Sequence, residues 1–175
     1  MSVEMEYERT YLCQEIPQEY ISGDPVKMVD VYVPEVAEHP TLRVRQRGDR
    51  YVITRKAPVD GDSSRQLEET IKLSAVEAEA LMSSSSRRIE KLRYPLLWNG
   101  FEGELDVFGG EHEGLVMVDF EFTDTEKLKD FQQPDFCLAE FTHEVIVAGG
   151  ILSGMKSDEL WTALKQKYAY NPVRG

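Results

Sequence analysis

Carboxylates recur at every second position near the start of the chain, at Glu4, Glu6 and Glu8. Side chains alternate across a strand, so all three share one face. Like charges at that spacing repel and need a counter-charge, a cation or open water. The spacing returns at Glu104 and Asp106 in ELDVF and at Asp119 and Glu121 in VDFEF. Basic residues repeat it: Arg43, Arg45 and Arg47 in TLRVRQR, and Lys91 and Arg93 in IEKLRY; Lys56 shares a face with Thr54 in RYVITRK. A solvated outer face accounts for any one such strand. It does not account for whole strands being basic and others acidic, because solubility alone mixes the signs. Acids and bases facing one lumen are affordable only with water, ions and a ligand among them. A polyphosphate chelated to a divalent cation suits both sets. Arg and Lys hold phosphate oxygens, and carboxylates hold Mg²⁺ or Mn²⁺.

The elements that must position these groups are mostly strands. Period-two patterns predict VEMEYERTYL, VKMVDVYV, TLRVRQR, RYVITRK, LEETIKL, IEKLRYPLL, FEGELDVFG and LVMVDFEF, separated by turn-rich segments such as SGDP, RGD and GGEHEG. RGD is short enough for a hairpin. Three short helices are expected: AVEAEALMSS capped by Ser74 with Glu77 in a capping box, TEKLKDF starting at Thr123 or Asp124, and DELWTALKQKYA capped by Ser157. The fold class is therefore mainly β with some α: a closed antiparallel eight-stranded barrel with a few helices packed outside.

Residues 1–175 are read as a single domain, large enough for a core without disulfides. The net charge of −12 argues against an extended nucleic-acid surface or an anionic membrane partner. No apolar run is long enough to span a bilayer, and the acidic N-terminus has no signal-like apolar region. Cys13 and Cys137 lack metal-ligand spacing and read as packed free thiols in a reducing cytoplasm. His39, His112 and His143 are too scattered for a zinc site.

In this order and spacing, the motifs resemble the CYTH domains, the triphosphate tunnel metalloenzyme family, over roughly residues 4–142. Glu6-Tyr7-Glu8-Arg9-Thr10 stands where that family has its opening ExExK strand. LRVRQRGDRYVITRK resembles the basic hairpin through Arg43, Arg45 and Lys56, and RRIEKLRY the later basic strand through Lys91 and Arg93. ELDVF and VDFEF match the paired-acid strands, and FQQPDFCLAEFT resembles a Pro-containing turn before a short E-x-T strand bearing Glu140. The chain departs from the pattern in having Thr10 for lysine, with Lys156 and Lys72 as the cations to replace it. It also has HEVIVAGGILSGMK where the family has a basic segment. Its Gly149, Gly150 and Gly154 are read as letting backbone approach a ligand.

The resemblance implies an eight-stranded tunnel with bound Mg²⁺ or Mn²⁺ and metal-dependent hydrolysis of a triphosphate-containing small molecule or polyphosphate. Its metal ligands would be Glu6, Glu8, Asp119 and Glu121. Arg43, Arg45, Lys56, Lys91, Arg93 and Lys156 would bind phosphate. Glu104 or Asp106 would complete the metal shell or serve as general base. The alternatives are a module that binds polyphosphate or nucleotide without turnover, and an adenylate cyclase.

Overall fold

Alternating apolar and charged positions make strands of most of this chain. The computed structural model describes residues 7–38, 40–59, 62–122 and 125–174. The strands are β1 (Tyr7–Cys13), β2 (Val26–Val33), β3 (Leu42–Arg47), β4 (Arg50–Val59), β5 (Asp62–Leu73), β6 (Arg88–Trp98), β7 (Phe101–Gly109), β8 (Val116–Phe122) and β9 (Cys137–Glu140). The helices are α1 (Ala75–Met82), α2 (Thr125–Asp130), α3 (Gly149–Leu152) and α4 (Ser157–Tyr168). No helix among the described residues is long and apolar enough to cross a membrane.

The hydrogen-bonded order is β5-β4-β3-β2-β6-β7-β8-β1-β9. All eight expected strands are present, and the four-residue β9 makes a ninth. This order has two ends, β5 and β9, so among the described residues the ladders give a nine-stranded antiparallel sheet, and no ladder among them closes it into the eight-stranded ring expected. The chain divides into two compact units. One comprises Met1–Pro25, Leu92–Glu144 and Ser157–Gly175, and the other Val26–Lys91 and Val145–Lys156.

In the first unit, the odd-numbered face of β1 and the even-numbered face of β8 turn towards a buried cluster. It contains Tyr11, Leu96, Leu105, Val118, Phe120 and Phe122. Phe131, just after α2, is its hub. Its ring lies 4.8 Å from Phe120, 5.0 Å from Phe101 and Phe122, and 5.7 Å from Trp98. Such ring pairs contribute about 0.5–1.5 kcal/mol each beyond the area they bury. Asn99 and Gly100 both take positive φ, at 50° and 83°, so an Asn-Gly turn closes the β6–β7 hairpin. In α4, Leu160 and Leu164 are buried, and the Ser157 hydroxyl accepts the Trp161 indole N–H. Cys13 and Cys137 are free and buried, directly opposite each other across β1 and β9.

In the second unit, Val29, Val31 and Val44 are buried on one side of β2–β3. Gly48, at φ 59°, starts the two-residue turn into β4 that RGD predicts. The capping box at α1 forms as expected, with the Ser74 hydroxyl accepting from Glu77 N and the Glu77 carboxylate accepting from Ser74 N. The α2 start expected at Thr123 or Asp124 lies outside the described residues.

Candidate functional site

Strands β1, β7 and β8 pack apolar side chains against the buried cluster on one face and carry most of their charged residues on the other. In the first unit this gathers Glu8 and Thr10 from β1, Asp119 and Glu121 from β8, Glu104 and Asp106 from β7, and Arg93 from β6. Glu8 lies opposite Glu121, Thr10 opposite Asp119, and Glu104 opposite Asp119. Counting outward from the Asn99–Gly100 turn brings Arg93 level with Asp106. There the guanidinium donates through Nε and Nη2 to both Asp106 oxygens, at 2.7 Å each. Nη2 also reaches Asp119 Oδ2 at 3.3 Å, and Nη1 donates to Glu104. The Thr10 hydroxyl lies 2.7 Å from Asp119 Oδ1 and 3.1 Å from Glu8 Oε1.

Electrostatics follow from that crowding. Burial, then the charges of Asp106 and Glu8, push the Asp119 carboxyl up to about 6, against the pull of Thr10 and Arg93. Burial works against the Arg93 charge. The Asp106 hydrogen bond and the Asp106, Glu104 and Asp119 charges outweigh it and hold the guanidinium's pKa above its ordinary value. Arg93 was expected to hold phosphate; in this state it is the cation three carboxylates share. Among the described residues no three acids, histidines or cysteines are arranged around a single ion position. The donor set nonetheless fits a hard divalent cation, since Glu8, Asp119 and Glu121 offer only carboxylate oxygens in a region of excess negative charge. Glu6, with Glu4, lies outside the described residues.

Glu140 takes the opposite face. The β1–β9 register shifts between Leu12 and Cys13, and Glu140 lies opposite Tyr11 and pairs with Arg9 at 3.4 Å.

The second unit carries the basic set. Arg43 and Arg45 flank buried Val44 on β3 and face away from it. Arg45 donates to both oxygens of Asp30, Nε–Oδ1 at 2.7 Å and Nη2–Oδ2 at 2.6 Å. Among the described residues the buried Arg43 Nε has no hydrogen-bond partner, a donor that an anion's oxygen would satisfy. The Lys56 side chain lies outside the described residues, but its backbone pairs with Glu68, Thr54 with Thr70 and Val52 with Lys72. Glu69 instead approaches Arg55, 3.7 Å away. Lys91 is half-buried on β6 with the parity of Arg93, and Lys156 is exposed beyond α3.

The glycines do something other than admit a ligand. A Cβ on Gly149 would lie 1.9 Å from the Tyr32 hydroxyl, and one on Gly154 would lie 2.6 Å from Arg87 Nη2. Arg87 donates to the carbonyls of Glu35, Ala37, Glu38 and Gly150, tying the loop after β2 to α3. Asp30 and Arg87 escaped the sequence reading. Asp30 had a signal, a lone acid in the apolar strand VKMVDVYV; Arg87 had none beyond its place after a serine run.

No protein-family model matches the chain. An inorganic triphosphatase of Nitrosomonas europaea is 32% identical over 141 residues, spanning 79% of this chain and 90% of that protein. An inorganic triphosphatase of Acetivibrio thermocellus is 35% identical over 104 residues, 58% of this chain and 64% of that one. Among solved structures, the crystal structure of an inorganic triphosphatase superposes with a TM-score of 0.68 at 25% identity, covering 89% of this chain and 98% of that chain. A Hippeastrum protein described as having a dominant triphosphatase activity superposes at 0.50 with 12% identity, over 72% of this chain and 83% of that one, a likeness of fold alone.

Proposed function

The chain belongs to the CYTH family, the triphosphate tunnel metalloenzymes, and we propose that it hydrolyses inorganic triphosphate with a divalent cation, Mg²⁺ or Mn²⁺. One structural observation carries the reading: Glu8, Asp119, Glu104 and Asp106 are held on one strand face by Thr10 and Arg93. The finer architecture we infer is the family's eight-stranded closed tunnel, residues 1–175 acting as one domain in the cytoplasm.

Glu6, Glu8, Asp119 and Glu121 would hold the cation, which neutralises phosphate charge and makes the terminal phosphorus a better electrophile. Arg43, Arg45, Lys56, Lys91 and Lys156 bind phosphate oxygens and orient the chain of phosphates. Arg93 holds Asp106 and Asp119 in place through its hydrogen bonds to both. Of the two general-base candidates, the Glu104 side chain is 37% exposed and that of Asp106 4%, so Glu104 is the one that water reaches. It accepts a proton as water attacks the terminal phosphorus; the bridging P–O bond breaks, giving phosphate and pyrophosphate. Polyphosphate and organic triphosphates carry the same terminal group.

Phosphate release from tripolyphosphate with Mg²⁺ or Mn²⁺, abolished by chelator, tests this. Failure to turn over tripolyphosphate, nucleoside triphosphates and thiamine triphosphate would overturn it. Calorimetric binding without product would then select the binding-only alternative, and cyclic AMP from ATP the cyclase. The binding-only reading draws on the ion pairs that already engage Arg45 and Arg93.

A further inference from the structure

Strands β2, β3 and β4 carry seven basic side chains, Lys27, Arg43, Arg45, Arg47, Arg50, Arg55 and Lys56, and a single acid, Asp30. That acid sits mid-strand, 4% exposed, directly opposite Arg45. The geometry points to Asp30 as the positioning residue for Arg45 in phosphate recognition, an inference that rests on the triphosphatase reading.

A guanidinium has two edges able to form paired hydrogen bonds, and Asp30 takes the Nε/Nη2 edge through both carboxylate oxygens. A phosphate therefore meets the Nη1/Nη2 edge, whose direction is fixed by what holds the first. Asp30 cannot follow a departing Arg45. Its side chain is short, it sits within β2, and it is flanked on its face by Met28 and Tyr32, both buried. Parting from Arg45 would leave a buried carboxylate uncompensated, which is strongly unfavourable. Arg45 thus stays with Asp30 when an anion arrives, and the pair acts as one rigid, nearly neutral donor. It supplies direction more than charge. The neighbouring rung repeats the device, with Tyr32 opposite Arg43. Burial first, then the charge of Asp30, raises the Tyr32 phenol above its ordinary range, while Arg43 and Arg45 oppose that rise. The hydroxyl thus stays neutral beside Arg43.

The opposite view is that Asp30 competes with phosphate for Arg45 and weakens binding. The two views predict opposite signs. Calorimetry with tripolyphosphate and chelated metal, and steady-state kinetics, separate them. Asp30→Asn preserves volume but cannot hold both guanidinium nitrogens. It is expected to raise Kd and KM about ten-fold, with a much smaller change in kcat, because orientation rather than chemistry is lost. In an Arg45→Met background the same substitution should change Kd less than about two-fold, because Asp30 acts only through Arg45. An unchanged or tighter Kd in Asp30→Asn, a fall in kcat at constant KM, or additive effects of the two substitutions would overturn the inference. If Asp30→Asn does not fold, the Asp30→Leu/Arg45→Met pair removes both charges. Its Kd should equal that of Arg45→Met alone, and any larger loss or gain counts against Asp30. Wild-type protein that binds no tripolyphosphate refutes the parent reading itself, an outcome distinct from any change between variants.

Discussion

Replacing Arg93 with methionine is expected to destabilise the metal-free protein strongly at pH 8 and far less at pH 5. The methionine keeps most of the volume and removes the cation. It leaves Asp106, whose side chain is 4% exposed, without its paired hydrogen bonds, and Asp119, 21% exposed, beside two other carboxylates. Breaking one partner of a buried ion pair costs about 3–5 kcal/mol. Asp119 sets the pH window. Its pKa rises from 3.8 to about 6 on folding, so the folded state takes up a proton between those values. Stability therefore falls as pH rises through that interval, and the cost is complete above about pH 6; it amounts to about 3 kcal/mol in the wild type. Without Arg93, which lowers it, the Asp119 pKa would lie still higher, and its protonation relieves the repulsion in acid. Urea denaturation with chelator at the two pH values reads both numbers. A loss below about 1 kcal/mol, or one equal at pH 5 and pH 8, would refute the picture of Arg93 as the cation these carboxylates share.

Glu8→Gln should remove metal-dependent phosphate release while leaving the urea midpoint within about 0.5 kcal/mol, since Glu8 is exposed; a folding defect, or full turnover, would count against it as a ligand. Gly149→Ala should cost about 1–3 kcal/mol in thermal unfolding, because its Cβ would fall 1.9 Å from the Tyr32 hydroxyl. Tyr32→Phe should recover part of that loss, and an innocuous alanine would mean Tyr32 does not rest there. Ser74→Ala should cost about 1 kcal/mol through loss of the α1 cap; denaturation indistinguishable from wild type would show the capping box contributes nothing.

The sequence reveals most where a single period governs. All eight long strands and the α1 capping box were readable because alternation and cap chemistry are local. β9 is four residues long, too short to show a period, and only the resemblance pointed to it. Charge sorting by strand was visible at Arg43, Arg93, Asp106 and Asp119, but pairing across strands was not. From the sequence alone Arg93 reads as a phosphate ligand, because its three carboxylate neighbours come from β7 and β8, whose register depends on turn geometry. The Asn99–Gly100 dipeptide sets the β6–β7 register. Glu140 faces away from Glu8 because a register shift between Leu12 and Cys13 changes the parity, and nothing local in FCLAEFT announces it. The glycines near 149 looked like room for a ligand; the room is filled by Tyr32 and Arg87, long side chains distant in sequence.

The two faces of β8 constrain how this chain can change through insertions and deletions. Val118, Phe120 and Phe122 lie in the aromatic cluster while Asp119 and Glu121 face the other way, so one residue separates hydrocarbon from carboxylate throughout. Removing a single residue within β8 upstream of Asp119 would turn the acids into the Phe131 cluster and the phenylalanines outward, losing core and site in one event. A two-residue deletion at the same place would keep every side chain on its own face and only slide the acids along it. Length variation tolerated in this strand among descendants should therefore come in even steps, whereas substitutions on the charged face are free to accumulate one at a time.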